Sequence, residues 1–102
     1  MIRNQWTAPT FEVLPEKDLR RLTQLLPPYN VILFNDDYNE MDYVIFALLH
    51  SVNNLSTQEA TQIMFTAHAT GSAIVITCPK ELAEYYQERL ISYGLTATIE
   101  PD

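Results

Sequence analysis

Residues 29–37 read Tyr-Asn-Val-Ile-Leu-Phe-Asn-Asp-Asp, an apolar run that stops abruptly at three polar residues. A short run of β-branched and aromatic side chains bounded by turn residues predicts a buried strand over 29–34. Asn35, Asp36 and Asp37 favour a turn, because their short side chains can hydrogen-bond nearby backbone groups. The sequence therefore predicts a core strand with a polar cluster at its end.

Two helices are predicted after this turn. Asn39 is a favourable N-cap for a helix over about 40–52, and the apolar face of that helix carries Met41, Val44, Ile45, Leu48 and Val52. Ser56 and Glu59 have the spacing of a capping box, which opens the second helix. Gly71 is suited to end that helix, and its apolar stripe comprises Ala60, Ile63, Met64, Ala67 and His68.

The C-terminal part of the sequence predicts a strand, a helix and a strand. Ala-Ile-Val-Ile-Thr at 73–77 predicts the second strand, and Pro79 suits the first position of a third helix. Helical spacing continues to Gly94 through Leu82, Tyr86, Leu90 and Tyr93. A short third strand is predicted over 96–99. The order β-α-α-β-α-β predicts an α/β (α+β) fold in which the helices cover one face of a small sheet.

Residues 1–28 differ in character from the rest of the chain. Prolines interrupt this stretch, and only the leucines of 18–26 are spaced for a helical turn or two. The double proline at Pro27 and Pro28 cannot continue a helix. We therefore expect an extended N-terminal arm over 1–28 and a folded core over 29–102.

The composition limits the classes of function. The chain has 102 residues, enough for one folded domain, and its 6 Lys+Arg against 13 Asp+Glu give a net charge of −7. This charge disfavours nucleic acid and favours a cationic ligand or a basic protein surface. No apolar run is long enough to cross a bilayer. The single cysteine, Cys78, and the lack of a secretory pattern predict a cytoplasmic protein, or a plastid stromal one if a transit peptide was removed.

The sequence contains no constellation for catalysis or metal binding. His50, His68 and Cys78 have no recognised spacing of zinc ligands. Asp36 and Asp37 are adjacent and would point in different directions, which is poor geometry for acid–base chemistry. We therefore expect a protein that is not an enzyme and that holds no cofactor or metal.

Two features each allow two interpretations. Asn35-Asp36-Asp37 is either a plain turn whose charge favours the next helix, or a cluster of acceptors that holds a cation such as an ammonium group. His68 shares a helical face with Met64 at i and i+4. It is either a core histidine with satisfied hydrogen bonds or a polar group at the edge of an apolar pocket. Residue types alone favour the first interpretation of each.

Two motifs in this chain resemble the ClpS family of Clp protease adaptors. Residues 31–38, with Met41 and Val44 after them, resemble the opening of the ClpS core. Residues 60–64, with His68 and Gly71 after them, resemble its second motif. The resemblance implies a three-stranded antiparallel sheet packed against three helices, the fold class of the ribosomal-stalk C-terminal domain.

The resemblance implies a monomeric adaptor that delivers N-degron proteins to a Clp AAA+ unfoldase of the ClpA or ClpC type. N-degrons of this kind begin with a bulky hydrophobic residue such as Leu, Phe, Tyr or Trp. By position, the N-terminal ammonium and first backbone groups would be held by Asn35, Asp36 and His68. The first side chain would enter a pocket lined by Met41, Val44, Met64, Ala67 and Leu95. Docking on the unfoldase would involve Glu81 and Tyr86, and at the second of these positions some members carry Lys.

The chain departs from the family pattern at the predicted pocket. Asn39-Glu40 stands where many members have Thr-Pro, and Ala67 stands where a larger aliphatic residue is common. The loss of methyl groups is expected to reshape the pocket, so we predict an altered set of accepted first residues. The alternative function is a structural protein–protein interaction domain of the ribosomal-stalk fold that does not recognise an N-terminal residue.

Overall fold

The structure, a computed structural model, describes residues 15–102. Its elements in chain order are α1 (Glu16–Leu25), β1 (Pro28–Phe34), α2 (Met41–Ser51), α3 (Thr57–Thr70), β2 (Ser72–Pro79), α4 (Lys80–Ser92) and β3 (Thr96–Pro101). From β1 onward this is the predicted order β-α-α-β-α-β. The predicted fold class is therefore confirmed.

The three strands form one antiparallel sheet in the order β2-β1-β3. Val31 of β1 lies opposite Ile76 of β2 on one side and Ile99 of β3 on the other. As the central strand, β1 has no free edge, and residues 30–33 are buried. This position explains why the first strand of the sequence is an apolar run without charge.

Helices α2, α3 and α4 hold the sheet through a shared core. Leu33 of β1, Leu48 of α2 and Leu90 of α4 are fully buried, and α3 contributes Met64. Burial of one Leu side chain contributes about 1.5–3 kcal/mol to stability. The packing brings the start of α2 and the C-terminal half of α3 to the end of β1.

Both predicted ends of α3 are confirmed. Ser56 Oγ accepts a hydrogen bond from the Glu59 backbone N–H at 3.0 Å, and Glu59 Oε1 accepts one from the Ser56 backbone N–H at 3.0 Å. The hydrogen bond from the Ser56 backbone N–H to the carboxylate, and after it the Ser56 side chain, lowers the pKa of Glu59. Gly71 ends the helix at a φ of 98°, a left-handed conformation that glycine adopts without a Cβ clash.

The prediction that Asn39 caps α2 is wrong. Glu40 occupies the N-cap position, and its side chain makes no capping hydrogen bond. Asn39 instead donates from its side-chain amide to the Asp36 carboxylate and to the Gly94 carbonyl. A capping side chain must accept from the first N–H groups of the helix, whereas Asn39 serves as a donor between two loops.

Three boundaries also differ from the sequence prediction. Pro79 is the last residue of β2 and the N-cap of α4, not the first helical residue. Strands β2 and β3 extend past the predicted 77 and 99, because Pro79 and Pro101 lie opposite the first residues of β1. The ends of β2 and β3 are therefore set by pairing with the start of β1, which is distant in sequence.

The predicted N-terminal arm is only partly described. Residues 1–14 lie outside the described residues, and Glu16–Leu25 forms α1, which is longer than the predicted turn or two. Leu22 and Leu25 are 50% and 76% exposed, so these two side chains contribute little to the core. The division into an arm over 1–28 and a core over 29–102 stays a prediction.

Candidate functional site

A cavity of about 340 Å³ lies at the end of β1, between the start of α2 and the C-terminal half of α3. This volume is in the range of small-ligand pockets. The residues predicted for the amine site and the side-chain pocket all line it: Asn35, Asp36, Met41, Val44, Met64, Ala67, His68 and Leu95. Side chains from four separate parts of the sequence therefore meet at one place.

Asp36 is held by the backbone of its own loop. Its Oδ1 accepts hydrogen bonds from the backbone N–H of Tyr38 at 3.0 Å and of Asn39 at 2.8 Å. This is the local turn that the Asn-Asp-Asp sequence predicted. Bonds from N–H groups to an ionised carboxylate are the stronger kind, so they restrict the orientation of the Asp36 side chain in the cavity.

Asn39 links this loop to a second one. Its Nδ2 lies 3.3 Å from Asp36 Oδ1, 3.2 Å from Asp36 Oδ2 and 3.1 Å from the Gly94 carbonyl oxygen. Gly94 immediately precedes Leu95, which lines the cavity. Residue patterns did not reveal this role for Asn39, since its second partner lies 55 residues away.

A backbone bond ties the polar cluster to α3. The Asn35 N–H donates to the Gly71 carbonyl at 3.0 Å, just beyond the end of α3. His68, in the last turn of that helix, is exposed, and its imidazole ring makes no hydrogen bond to residues 15–102. It is therefore not a core histidine. Its ring can donate or accept a hydrogen bond at the cavity edge.

The other predicted residues give the cavity an apolar part. Met64, Ala67 and Leu95 are at most 4% exposed, whereas Met41 is 40% exposed. Val44 is half-buried. A ligand side chain that enters the cavity can therefore contact buried apolar groups, with Met41 at the solvent boundary.

The charged side chains that line the cavity are all acidic: Asp36, Asp37 and Glu40. Opposite unit charges 4 Å apart attract by about 4 kcal/mol at an effective dielectric constant of 20. A cation is therefore favoured in this cavity and an anion is opposed. The arrangement suits a ligand that combines an ammonium group with an apolar body.

The two residues predicted for docking lie in different environments. Glu81, in the first turn of α4, is exposed. Tyr86 is 4% exposed and packs in the core, so its side chain is not available at the surface and its prediction as a docking contact is wrong. The exposed ring of the pair is Tyr85, at 48%.

The remaining candidate groups do not form a site. Within residues 15–102, no three or more possible metal ligands come together. His50 is exposed, with Nδ1 2.9 Å from the Phe46 carbonyl oxygen. Burial raises the pKa of the Cys78 thiol.

None of the helices in the described part of the chain has the length and apolarity needed to cross a membrane.

Known proteins match this chain over most of its length. A family model described as ATP-dependent Clp protease adaptor protein ClpS matches residues 24–98. The ClpS adapter of Synechococcus elongatus is 46% identical over 88 residues, which cover 86% of this chain and 90% of the relative. Chloroplastic CLPS1 of Chlamydomonas reinhardtii is 43% identical over 94 residues, which cover 92% of this chain and 58% of the relative.

A solved structure shares the fold. Agrobacterium tumefaciens ClpS2, bound to L-phenylalaninamide, matches with a TM-score of 0.70 at 32% sequence identity. The match covers 74% of this chain and 98% of the solved chain. This chain therefore shares its fold with a protein whose solved structure holds an amino-acid amide.

Proposed function

This chain belongs to the ClpS family of adaptor proteins for the ATP-dependent Clp protease, and on that premise we propose that it binds proteins through a free, bulky hydrophobic N-terminal residue. Asn35, Asp36 and His68 hold the ammonium and the first backbone groups. Met41, Val44, Met64, Ala67 and Leu95 enclose the first side chain. The bound protein is then delivered to a Clp unfoldase for degradation.

The observation that carries this proposal is the composition of one cavity. Its polar lining offers carboxylate and imidazole groups, and its apolar lining offers the buried Met64, Ala67 and Leu95. An ammonium group next to a bulky side chain occurs at the N-terminus of a chain and not at an internal Leu or Phe. The two parts of the cavity together therefore select chain ends.

The expected affinity suits a carrier that must release its cargo. A hydrogen bond to a charged group contributes about 1.5–3 kcal/mol, and burial of a Leu side chain contributes about 1.5–3 kcal/mol. Association costs several kcal/mol in lost translational and rotational freedom. With several such contacts, we expect dissociation constants in the micromolar range.

The partner for delivery is the N-domain of a ClpA- or ClpC-type unfoldase. Glu81 supports this part of the proposal, because it is exposed at the start of α4. With Tyr86 in the core, Tyr85 is the aromatic side chain on α4 that can reach a partner. We further propose that the chain acts as a monomer, without catalytic chemistry, in the cytoplasm or the plastid stroma.

A peptide titration tests the binding proposal. A labelled peptide with a free N-terminal Leu is expected to bind, and the same peptide with an acetylated N-terminus is expected to bind at least about tenfold more weakly, because it has lost the charge. Asp36→Ala is expected to weaken binding of the free peptide by a similar factor.

Asp42→Ala is the matched control for this titration. Asp42 is an exposed carboxylate on α2 that does not line the cavity, so its removal is expected to change the affinity less than twofold. Equal binding of the free and the acetylated peptide would contradict the proposal. That result would favour the alternative of a structural interaction domain.

A further inference from the structure

We infer that Asn39 is a positioning residue that couples the amine site to the side-chain pocket. The inference rests on the proposed function and extends it to a residue outside the predicted set. Asn39 acts through its hydrogen bonds to the Asp36 carboxylate and to the Gly94 carbonyl. One side chain thereby holds together two loops that both contribute residues to the cavity lining.

The surroundings of the Asn39 amide define how it is used. Nδ2 lies within 3.3 Å of both Asp36 oxygens and of the Gly94 oxygen, and all three atoms are acceptors. An NH₂ group has two hydrogens. One can be shared between the carboxylate oxygens while the other bonds to Gly94, so both donors of the amide are occupied.

This arrangement distributes the hydrogen-bonding capacity of Asp36 unevenly. Oδ1 is near three donors, the backbone N–H groups of Tyr38 and Asn39 and the Asn39 amide, whereas Oδ2 is near the Asn39 amide alone. An ionised carboxylate has about four acceptor sites across its two oxygens. Oδ2 is therefore the atom left with capacity for an incoming ammonium, and Asn39 fixes where Oδ2 lies.

The bond to Gly94 connects Asn39 to the side-chain pocket. Gly94 has a φ of 85° in the turn between α4 and β3, and the next residue, Leu95, is buried in the cavity wall. Tyr43 of α2 provides another bond to this turn, since its hydroxyl donates to the Tyr93 carbonyl at 2.6 Å. Tyr43 makes no bond to Asp36. A change at Tyr43 therefore affects the turn at Gly94 without removing a hydrogen bond from the amine site.

Asn39→Leu tests the inference because it keeps the approximate size and shape of the side chain, removes both donors and adds no charge beside Asp36. We expect the affinity for a free N-terminal Leu peptide to fall about tenfold. The ratio between the free and the acetylated peptide is expected to shrink by a similar factor. Asn53→Leu makes the same change at an exposed turn after α2 and is expected to change neither value by more than about twofold.

A mutant cycle distinguishes positioning from general destabilisation. If Asn39 acts through Asp36, Asn39→Ala is expected to weaken binding in the wild-type background but by less than twofold in an Asp36→Ala background. Tyr43→Phe is expected to lower the unfolding temperature and to leave the ratio between free and acetylated peptide within about twofold. Circular dichroism of each variant is the control that tests whether the variant is folded.

The outcomes separate this inference from the proposed function. If the wild-type protein discriminates the free amine and Asn39→Leu behaves like wild type, the inference is overturned and the proposed function stands. Additive losses from Asn39→Ala and Asp36→Ala would overturn it as well. If wild-type protein binds the acetylated peptide as tightly as the free one, both the function and the inference fail.

Discussion

At the scale of single residues, the small side chain of Ala67 is expected to leave depth in the cavity for a large first residue. It is 3% exposed and lines the cavity beside Met64 and Leu95. Added methyl groups at a packed site have no free space and cost about 1–3 kcal/mol when they clash with an occupant. We therefore expect Ala67→Val to weaken binding of peptides that begin with Trp or Tyr by at least about fivefold relative to a Leu peptide.

Binding of peptides that begin with Leu, Phe, Tyr and Trp measures this effect. Ala69→Val is the matched control, because it makes the same change at an exposed position of α3. Equal affinities of the wild-type protein for all four peptides would contradict the prediction that Ala67 alters the accepted set. An unchanged Leu-to-Trp ratio in Ala67→Val would contradict its role in the depth of the cavity.

Tyr86 and Asn39 show which features of a site residue can be predicted from local sequence and which cannot. Helical spacing placed Tyr86 with Leu82 and Leu90 on an apolar stripe, and its burial agrees with that pattern, not with a docking role. For Asn39, local capping preference predicted a bond to α2. The Asn39 side chain donates to the Gly94 carbonyl instead. A contact between residues 55 positions apart leaves no pattern in the local sequence.

At the scale of elements, the ends of α3 were predictable because their signals are local. Ser56 and Glu59 bond to each other in the first turn, and the Gly71 N–H donates to the Ala67 carbonyl in the last turn. Residue types and local spacing are therefore sufficient to predict both ends. The lengths of β2 and β3 were not predictable in the same way. Their last residues pair with Pro28 and Tyr29 of β1, and only the folded sheet brings these partners together.

The capping box predicts a pH-dependent contribution of Glu59 to stability. Hydrogen bonds from Ser56 lower the pKa of Glu59 below its ordinary value of 4.5. A lowered pKa in the folded state means that the ionised form stabilises the fold above the unfolded pKa. This contribution is lost as the pH falls through the folded pKa. Glu59→Gln is therefore expected to be less stable than wild type at pH 7 and equal to it at low pH.

Chemical denaturation at pH 7 and at a series of lower pH values measures this difference. Glu88→Gln removes the same charge from an exposed position of α4 and serves as the control. A difference between wild type and Glu59→Gln that stays constant down to pH 3 would contradict the assignment. A constant difference would mean that the charge of Glu59 is not what stabilises the start of α3.

At the scale of the whole molecule, the net charge of −7 acts on folding and on binding in opposite directions. Like charges across the surface repel each other and oppose the compact state. The same charges, concentrated at the cavity by Asp36, Asp37 and Glu40, attract an N-terminal ammonium. Salt screens both effects, with a Debye length of about 10 Å at 0.1 M.

Raising the NaCl concentration from 10 to 150 mM is therefore expected to raise the unfolding temperature and to weaken binding of a free N-terminal Leu peptide about two- to fivefold. Binding of the acetylated peptide is expected to depend on salt much less, since it carries no charge at its first residue. Thermal unfolding measures the change in unfolding temperature, and fluorescence anisotropy on the same samples measures the change in peptide affinity. KCl should reproduce both shifts, because screening depends on ionic strength rather than on the cation. Tighter peptide binding at higher salt would show that apolar contacts, and not the acidic lining, dominate recognition at this cavity.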